Sequence, residues 1–237
     1  MRKVIYAFKP FLSEIAHDFM LATCIASPIL MGIVFRFLLP VIEKMLCNHF
    51  YLEHIFSPYY IIFDLLFAIM TPIMFCFSGV MVMLEEYDNG LTKYFTVTPL
   101  GKSGYLFSRL GIPTVLAFIY NIILLFLFTI SGLDFTSIVV FAFSGGLMAV
   151  ITSLIVVTFA KNKMEGMALI KLCGLLIIGI PIAYFVEGPI QYIFAILPSF
   201  WLAKLSIHMN YFFFLPTAFT SLLLIYCLYG KYKKKLM

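Results

Sequence analysis

At 237 residues, 63% of them hydrophobic and 11% charged, the chain is too poor in charge for a surface that must stay in water, where roughly a quarter of residues are charged. The net charge of +5 is no sign of a nucleic-acid partner, because Lys and Arg collect on the cytoplasmic side of membrane proteins. Five scattered cysteines, with neither a CxxC pair nor a histidine cluster, signal neither a disulfide framework nor a metal site.

Residues 1–18 come first. Val4, Ile5, Phe8, Phe11, Leu12 and Ile15 fall on one stripe of a 3.6-residue helix, with Arg2, Lys3, Lys9, Glu14 and Asp18 largely off it. This predicts an elbow helix resting in the inner interface of a bilayer. The charges and the lack of a short apolar core before a cleavage site argue against a cleavable signal peptide. Apolar runs then follow at 19–42, 59–84, 110–131, 137–160, 167–186 and 211–230, each near the length of about 20 residues that crosses a bilayer. The expected fold is an all-α membrane protein: one domain over 1–237, six transmembrane helices, an interfacial elbow and both termini cytoplasmic. Pro28, Pro72, Pro113, Pro181 and Pro216 fall inside spans, which membrane helices tolerate when neighbours satisfy the freed carbonyls.

Orientation rests on the basic residues. With the N-terminus inside, the inner segments hold Arg2, Lys3, Lys9, Lys93, Lys102, Arg109, Lys161, Lys163, Lys231, Lys233, Lys234 and Lys235, against Lys44 and Lys204 outside. Lys171 sits at the inner end of the fifth span, where it can snorkel. Arg36 and Asp64 fall within spans, towards the outer side. Charges there are costly unless paired or hydrated, so they are expected to pair across the first and second spans, the alternative being that each snorkels to the outer headgroups. Asn121, Thr114, Thr129, Ser144, Thr152, Ser153 and Thr158 are uncharged polar groups of spans three and four, suited to bonds between helices or to lining a path. Gly145-Gly146 suits close helix packing.

One inner stretch, 85–105, stands out directly after the second span. Glu85, Glu86 and Asp88 form an acidic head, Asn89-Gly90 is a turn signal, and Leu91 to Val97 can form a short helix ended by Thr98-Pro99. Glu86, Gly90, Thr92, Thr98, Pro99, Tyr105 and Arg109 together resemble the conserved pattern of the ABC-2 type transporter permeases: Glu, Gly-Thr, Thr-Pro, then Tyr and Lys. The chain departs in placing Leu91 between Gly90 and Thr92, and Arg109 where Lys is usual. The outer stretch 187–210 adds Leu197-Pro198-Ser199-Phe200-Trp201-Leu202, similar to the Pro-x-x-Trp of the family's outer re-entrant helices.

The resemblance implies the permease subunit of an ATP-driven exporter in the cell membrane, working as a dimer with a second copy or a related permease. Two separate ATPase subunits would carry the ATP and Mg, and this chain would bind no cofactor. Glu85, Glu86, Asp88, Asn89, Gly90, Leu91, Thr92, Lys93, Tyr94, Phe95, Thr98 and Pro99 would couple to them, with a coupling helix over Asp88 to Phe95. Drugs, antimicrobial peptides, lipids or polysaccharides are the family's cargoes. The residues agree that ATP is not hydrolysed on this chain: Gly101-Lys102-Ser103 ends like a phosphate loop, but Thr96 stands where its first Gly belongs.

Catalytic readings find little support. There is no His-Glu-x-x-His, and His17, His49, His54 and His208 all lie outside the expected spans, away from Ser78-Gly79 and Ser144-Gly145. No catalytic residue is assigned and no enzymatic activity expected. A second class of function stays open: an energy-independent membrane protein, such as a secondary carrier or a toxin-immunity protein. A carrier would lean on Asp64, the one carboxylate expected inside a span, although it lies off the midplane.

Overall fold

A proline inside an apolar helix frees a carbonyl that lipid cannot satisfy, and one such carbonyl, that of Ala68, lies where three spans of this bundle meet. The computed structural model describes residues 18–51, 53–90, 104–105 and 107–235, so the expected elbow over 1–18 lies outside it apart from Asp18. Regular structure among the described residues is helical. Among the described residues six helices are long and apolar enough to cross a membrane: Phe19–Phe50, Ser57–Asp88, Phe107–Phe128, Phe135–Phe159, Lys163–Phe185 and Tyr211–Lys233. The second and fourth are the most buried and pack on each other at the centre, while the first and sixth are the least buried. The third lies against the second and fourth, and the sixth against the fourth.

Six spans match the sequence reading, but several boundaries move, and the end of the first span and the start of the fifth do so for identifiable reasons. The first span continues to Phe50 because Glu43, expected just beyond it, is buried. Its Oε1 accepts the N–H groups of Ile55 (3.3 Å), Phe56 (3.1 Å) and Ser57 (2.8 Å), and the Tyr60 hydroxyl donates to Oε2. One carboxylate thus collects the donors left open where the chain enters the second span. The helix ends at Tyr51, whose φ of 55° is left-handed. The fifth span begins at Lys163, ahead of the expected 167. Asn162 Oδ1 accepts the Glu165 N–H at 2.8 Å, and Glu165 reaches back to the Lys161 N–H at 2.9 Å, a reciprocal cap.

Pro72 leaves the carbonyl of Ala68, four residues earlier, without its helical donor. Asn121 of the third span supplies one: its Nδ2 donates to Ala68 O at 2.7 Å, with Asn121 fully buried. The fourth span closes on the same atom, since a Cβ added at Gly145 would lie 2.0 Å from Ala68 O. Gly145 therefore serves the close approach expected of the glycine pair, whereas Gly146 faces open space. In the first span Pro28 frees the Cys24 carbonyl, and Ser27 Oγ donates to it at 3.0 Å. Thr114, Ser144 and Thr152 turn their hydroxyls back onto carbonyls of their own helices, the local use of such groups.

Between the fifth and sixth spans, a 3-10 stretch at Pro189–Ile196 leads into a helix at Pro198–His208. Most of that helix is buried, and it packs against the fifth and sixth spans. Trp201 Nε1 donates to Ala195 O at 2.6 Å, and its ring stacks on Phe213. Gly179 permits the approach, because a Cβ there would meet Phe200 N at 2.6 Å.

The Ala68 junction yields a paired expectation. Gly145→Ala should lower the thermal unfolding temperature of the purified protein in detergent, while Gly146→Ala should leave it unchanged. Asn121→Leu should cost about 1 kcal/mol by leaving the Ala68 carbonyl unsatisfied.

Candidate coupling site at the basic end of the bundle

The second span does not stop at 84. It runs through Asp88, so Glu85, Glu86 and Asp88 form its last turn and Asp88 is helical rather than the start of a separate coupling helix. Asn89 and Gly90 end it, the Gly90 N–H bonding to Tyr87 O at 3.0 Å with φ of 71°, a conformation that suits glycine. Leu91, Thr92, Lys93, Tyr94, Phe95, Thr98 and Pro99 lie outside the described residues.

Glu86 points inward, 4% exposed, and meets Arg109, 3% exposed. Arg109 Nε donates to Glu86 Oε2 at 3.2 Å and Nη2 to Oε1, the two-pronged geometry of guanidinium on carboxylate. The hydroxyl of Tyr105, itself buried, donates to Oε2 at 2.7 Å. Arg109 lies in a π-helical turn, Phe107–Gly111, at the start of the third span. Such a turn carries an extra residue, and here Ser108, Arg109 and Leu110 are buried in succession. The two ends of the segment 87–104 are thereby fixed to one another by an ion pair out of water.

A second group sits beside it. Lys163, at the start of the fifth span, donates its backbone N–H to Asp88 Oδ2 at 2.9 Å and its Nζ to Glu85 Oε2 at 2.7 Å. The same ammonium lies 3.5 Å from Asp18. Asp18 in turn caps the first span, accepting the N–H groups of Met20 and Leu21. One lysine therefore links the basic ends of the first, second and fifth spans. These pairs are partly exposed, so each adds little stability; their effect is to fix position.

Towards the opposite end, Arg36 and Asp64 do not form the expected ion pair. Both instead hold the turn after the third span, which ends at Phe128. Asp64 accepts from the hydroxyls of Thr129 (2.8 Å) and Ser131 and from the N–H groups of Ile130 (3.1 Å) and Ser131 (3.0 Å). Arg36 donates to the Thr129 carbonyl, a cation at the negative end of a helix. Arg36 also lies in a π-helical turn, Val34–Leu38. Competition keeps the two charges apart: Asp64 faces a loop with four donors on offer, and Arg36 reaches the carbonyl of that same loop.

Glu86, Tyr105 and Arg109 were singled out in the sequence by its resemblance to the ABC-2 permease pattern, and the structure brings them together. Lys163 was counted there as one more inner lysine. Its signal was faint, an Asn-Lys-x-Glu cap that starts the helix four residues early. Glu43 carried no signal. Pro198 and Trp201 lie apart from this site, in the helix between the fifth and sixth spans. Among the described residues no group of His, Cys, Asp and Glu is arranged to hold a metal ion.

Residues 11–229 match the family described as "Fluoroquinolones export permease protein Rv2686c-like". The chain belongs to that family. The match reaches into all six spans and includes Glu86, Tyr105 and Arg109, and it bears out the ABC-2 type permease reading. Two curated relatives, the Fluoroquinolones export permease proteins Rv2686c (strain H37Rv) and MT2760 (strain CDC 1551) of Mycobacterium tuberculosis, are each 25% identical over 194 residues. The alignment covers 79% of this permease and 75% of each relative. No solved structure matches the chain.

Removing one member of a buried ion pair strands the other, at a cost of about 3–5 kcal/mol. Glu86→Leu and Arg109→Met should each lower thermal stability in detergent by that order. The double variant should lose clearly less than the two together, and additive losses would show that the residues do not act as a pair.

Proposed function

We propose that this permease is the membrane-spanning part of an ATP-driven drug exporter, with ATP hydrolysed on two separate ATPase subunits that dock on residues 85–105. The observation that carries the reading is the buried Glu86–Arg109 pair with Tyr105. A loop that is to transmit force must be stiff where it joins the helices it moves, and this pair fixes the loop's two ends to the second and third spans. Lys163 extends the same connection to the first and fifth. A push on residues 91–103 would therefore displace four spans as a unit, and a second copy or a related permease would supply the other wall of the pathway.

The basic residues support a cell-membrane protein with both termini in the cytoplasm, which puts the coupling site on the side where ATP is present. The names of the mycobacterial relatives support fluoroquinolones as cargo. The bonds of Asp64 to the turn after the third span count against a secondary carrier, which would rely on that carboxylate.

Two measurements test this. The tagged permease, taken from native membranes in mild detergent, should bring down an ATPase. Replacing residues 91–98 with a Gly-Ser stretch of equal length should abolish that association and leave thermal stability intact. A permease that purifies without an ATPase under every gentle condition rules the reading out. In cells, Lys163→Glu should reduce energised fluoroquinolone efflux several-fold, and Glu85→Lys in the same chain should restore part of it.

A further inference from the structure

A cavity of about 320 Å³ lies between the first, second and fifth spans, at the lower end of the volume that drug-sized ligands occupy. Met70, Ile73, Met74 and Phe77 of the second span form one wall, and the first contributes Cys24. The facing wall is the fifth span, where α-helix gives way to a 3-10 stretch at Gly174–Ile178. Gly174 faces the cavity with open space where a side chain would be, and Ile177 lines it further along. Such mid-helix 3-10 winding often marks a functional bend. The walls suit a flat molecule: methionine thioethers adapt to the faces and edges of rings, and Phe77 offers a ring of its own.

One lining residue is charged. Lys171 lies eight residues beyond the start of the fifth span at Lys163, about 12 Å along the helix, deeper than the sequence boundary placed it. Among the described residues no carboxylate lies within 4 Å of its ammonium. Lys163, by contrast, on the same helix, is held by Glu85 and Asp18. An ionisable group within a span signals a functional site, and its partner has to be sought. An apolar cavity with a single cation at its edge is complementary to an apolar ligand with a single anionic group.

We propose that this cavity is a cargo-binding site and that Lys171 selects flat, largely apolar molecules carrying one carboxylate. The assignment rests on the drug-export reading and narrows its cargo to organic acids. Lys171 holds the carboxylate, and the methionine-lined wall takes the ring system.

The test uses the full-length permease in phosphatidylcholine nanodiscs, with flumequine, a fluoroquinolone that has one carboxylate and no basic amine, and its methyl ester as probes, since the ester keeps the rings and lacks the anion. The acid should bind about tenfold more tightly than the ester. Lys171→Met should bring the acid down to the ester's affinity without changing the ester, Lys171→Arg should preserve the preference, and Gly174→Leu should weaken both by filling the cavity. Equal binding of acid and ester by the unmodified chain overturns the proposal, as does a Lys171→Met variant that keeps the preference. So does co-purified anionic lipid that depends on Lys171 and excludes both probes, which assigns the lysine to a lipid headgroup. Efflux in cells separates this inference from the reading it rests on. Energised efflux with no preference for the acid defeats the selectivity alone, whereas no energised efflux of either probe defeats the exporter reading as well.

Discussion

A carboxylate and a guanidinium buried together, as Glu86 and Arg109 are, allow the helices that carry them little room to separate. Each charge has given up its water and depends on the other for compensation. The pair adds little net stability, because desolvation offsets most of the attraction; its contribution is to fix geometry. The π-helical turn that buries Ser108, Arg109 and Leu110 in succession serves that geometry, and so does the Tyr105 hydroxyl, which occupies a further lone pair of Glu86. The third span thus starts from a fixed point on the second, and the intervening segment can be long without its ends drifting.

Deeper in the bundle the same problem is solved without charge. Pro72 frees one carbonyl, and the third and fourth spans converge on it, one through the amide of Asn121 and the other through the bare backbone of Gly145. The turn after the third span is a third instance, with Asp64 and Arg36 dividing its donors and carbonyl between them. At each place a polar group that has lost its helical partner, or never had one, draws particular helices together. Apolar surface cannot make that choice in lipid, since one leucine face is as good as another.

This explains what could be read in the sequence. The six spans were legible because length and apolarity are local properties, and Glu86, Tyr105 and Arg109 because they match the pattern of a known permease family. The partners of Asp64, Lys163 and Glu43 were not legible. Each binds backbone groups or side chains that approach only once the helices have packed, and a carboxylate's choice between an arginine and four donors of a loop is a three-dimensional competition. The first span's end was misplaced for the same reason, since a glutamate that looks solvated in sequence is buried by the N–H groups of residues 55–57.

The spans also differ in length, and lipid must accommodate the difference. Thirty-two residues make the first and second spans about 48 Å long, against about 33 Å for the third and a hydrocarbon slab of about 30 Å. The excess of the first carries Glu43, Lys44 and His49, and that of the second carries Glu85, Glu86 and Asp88, so the two overhang the slab at opposite ends. Bilayer thickness therefore sets how far the last turn of the second span stands clear of the headgroups. A membrane with longer acyl chains draws that turn towards the interface, and one with shorter chains lifts it free, so lipid composition acts on the same few residues that a docking subunit would have to reach.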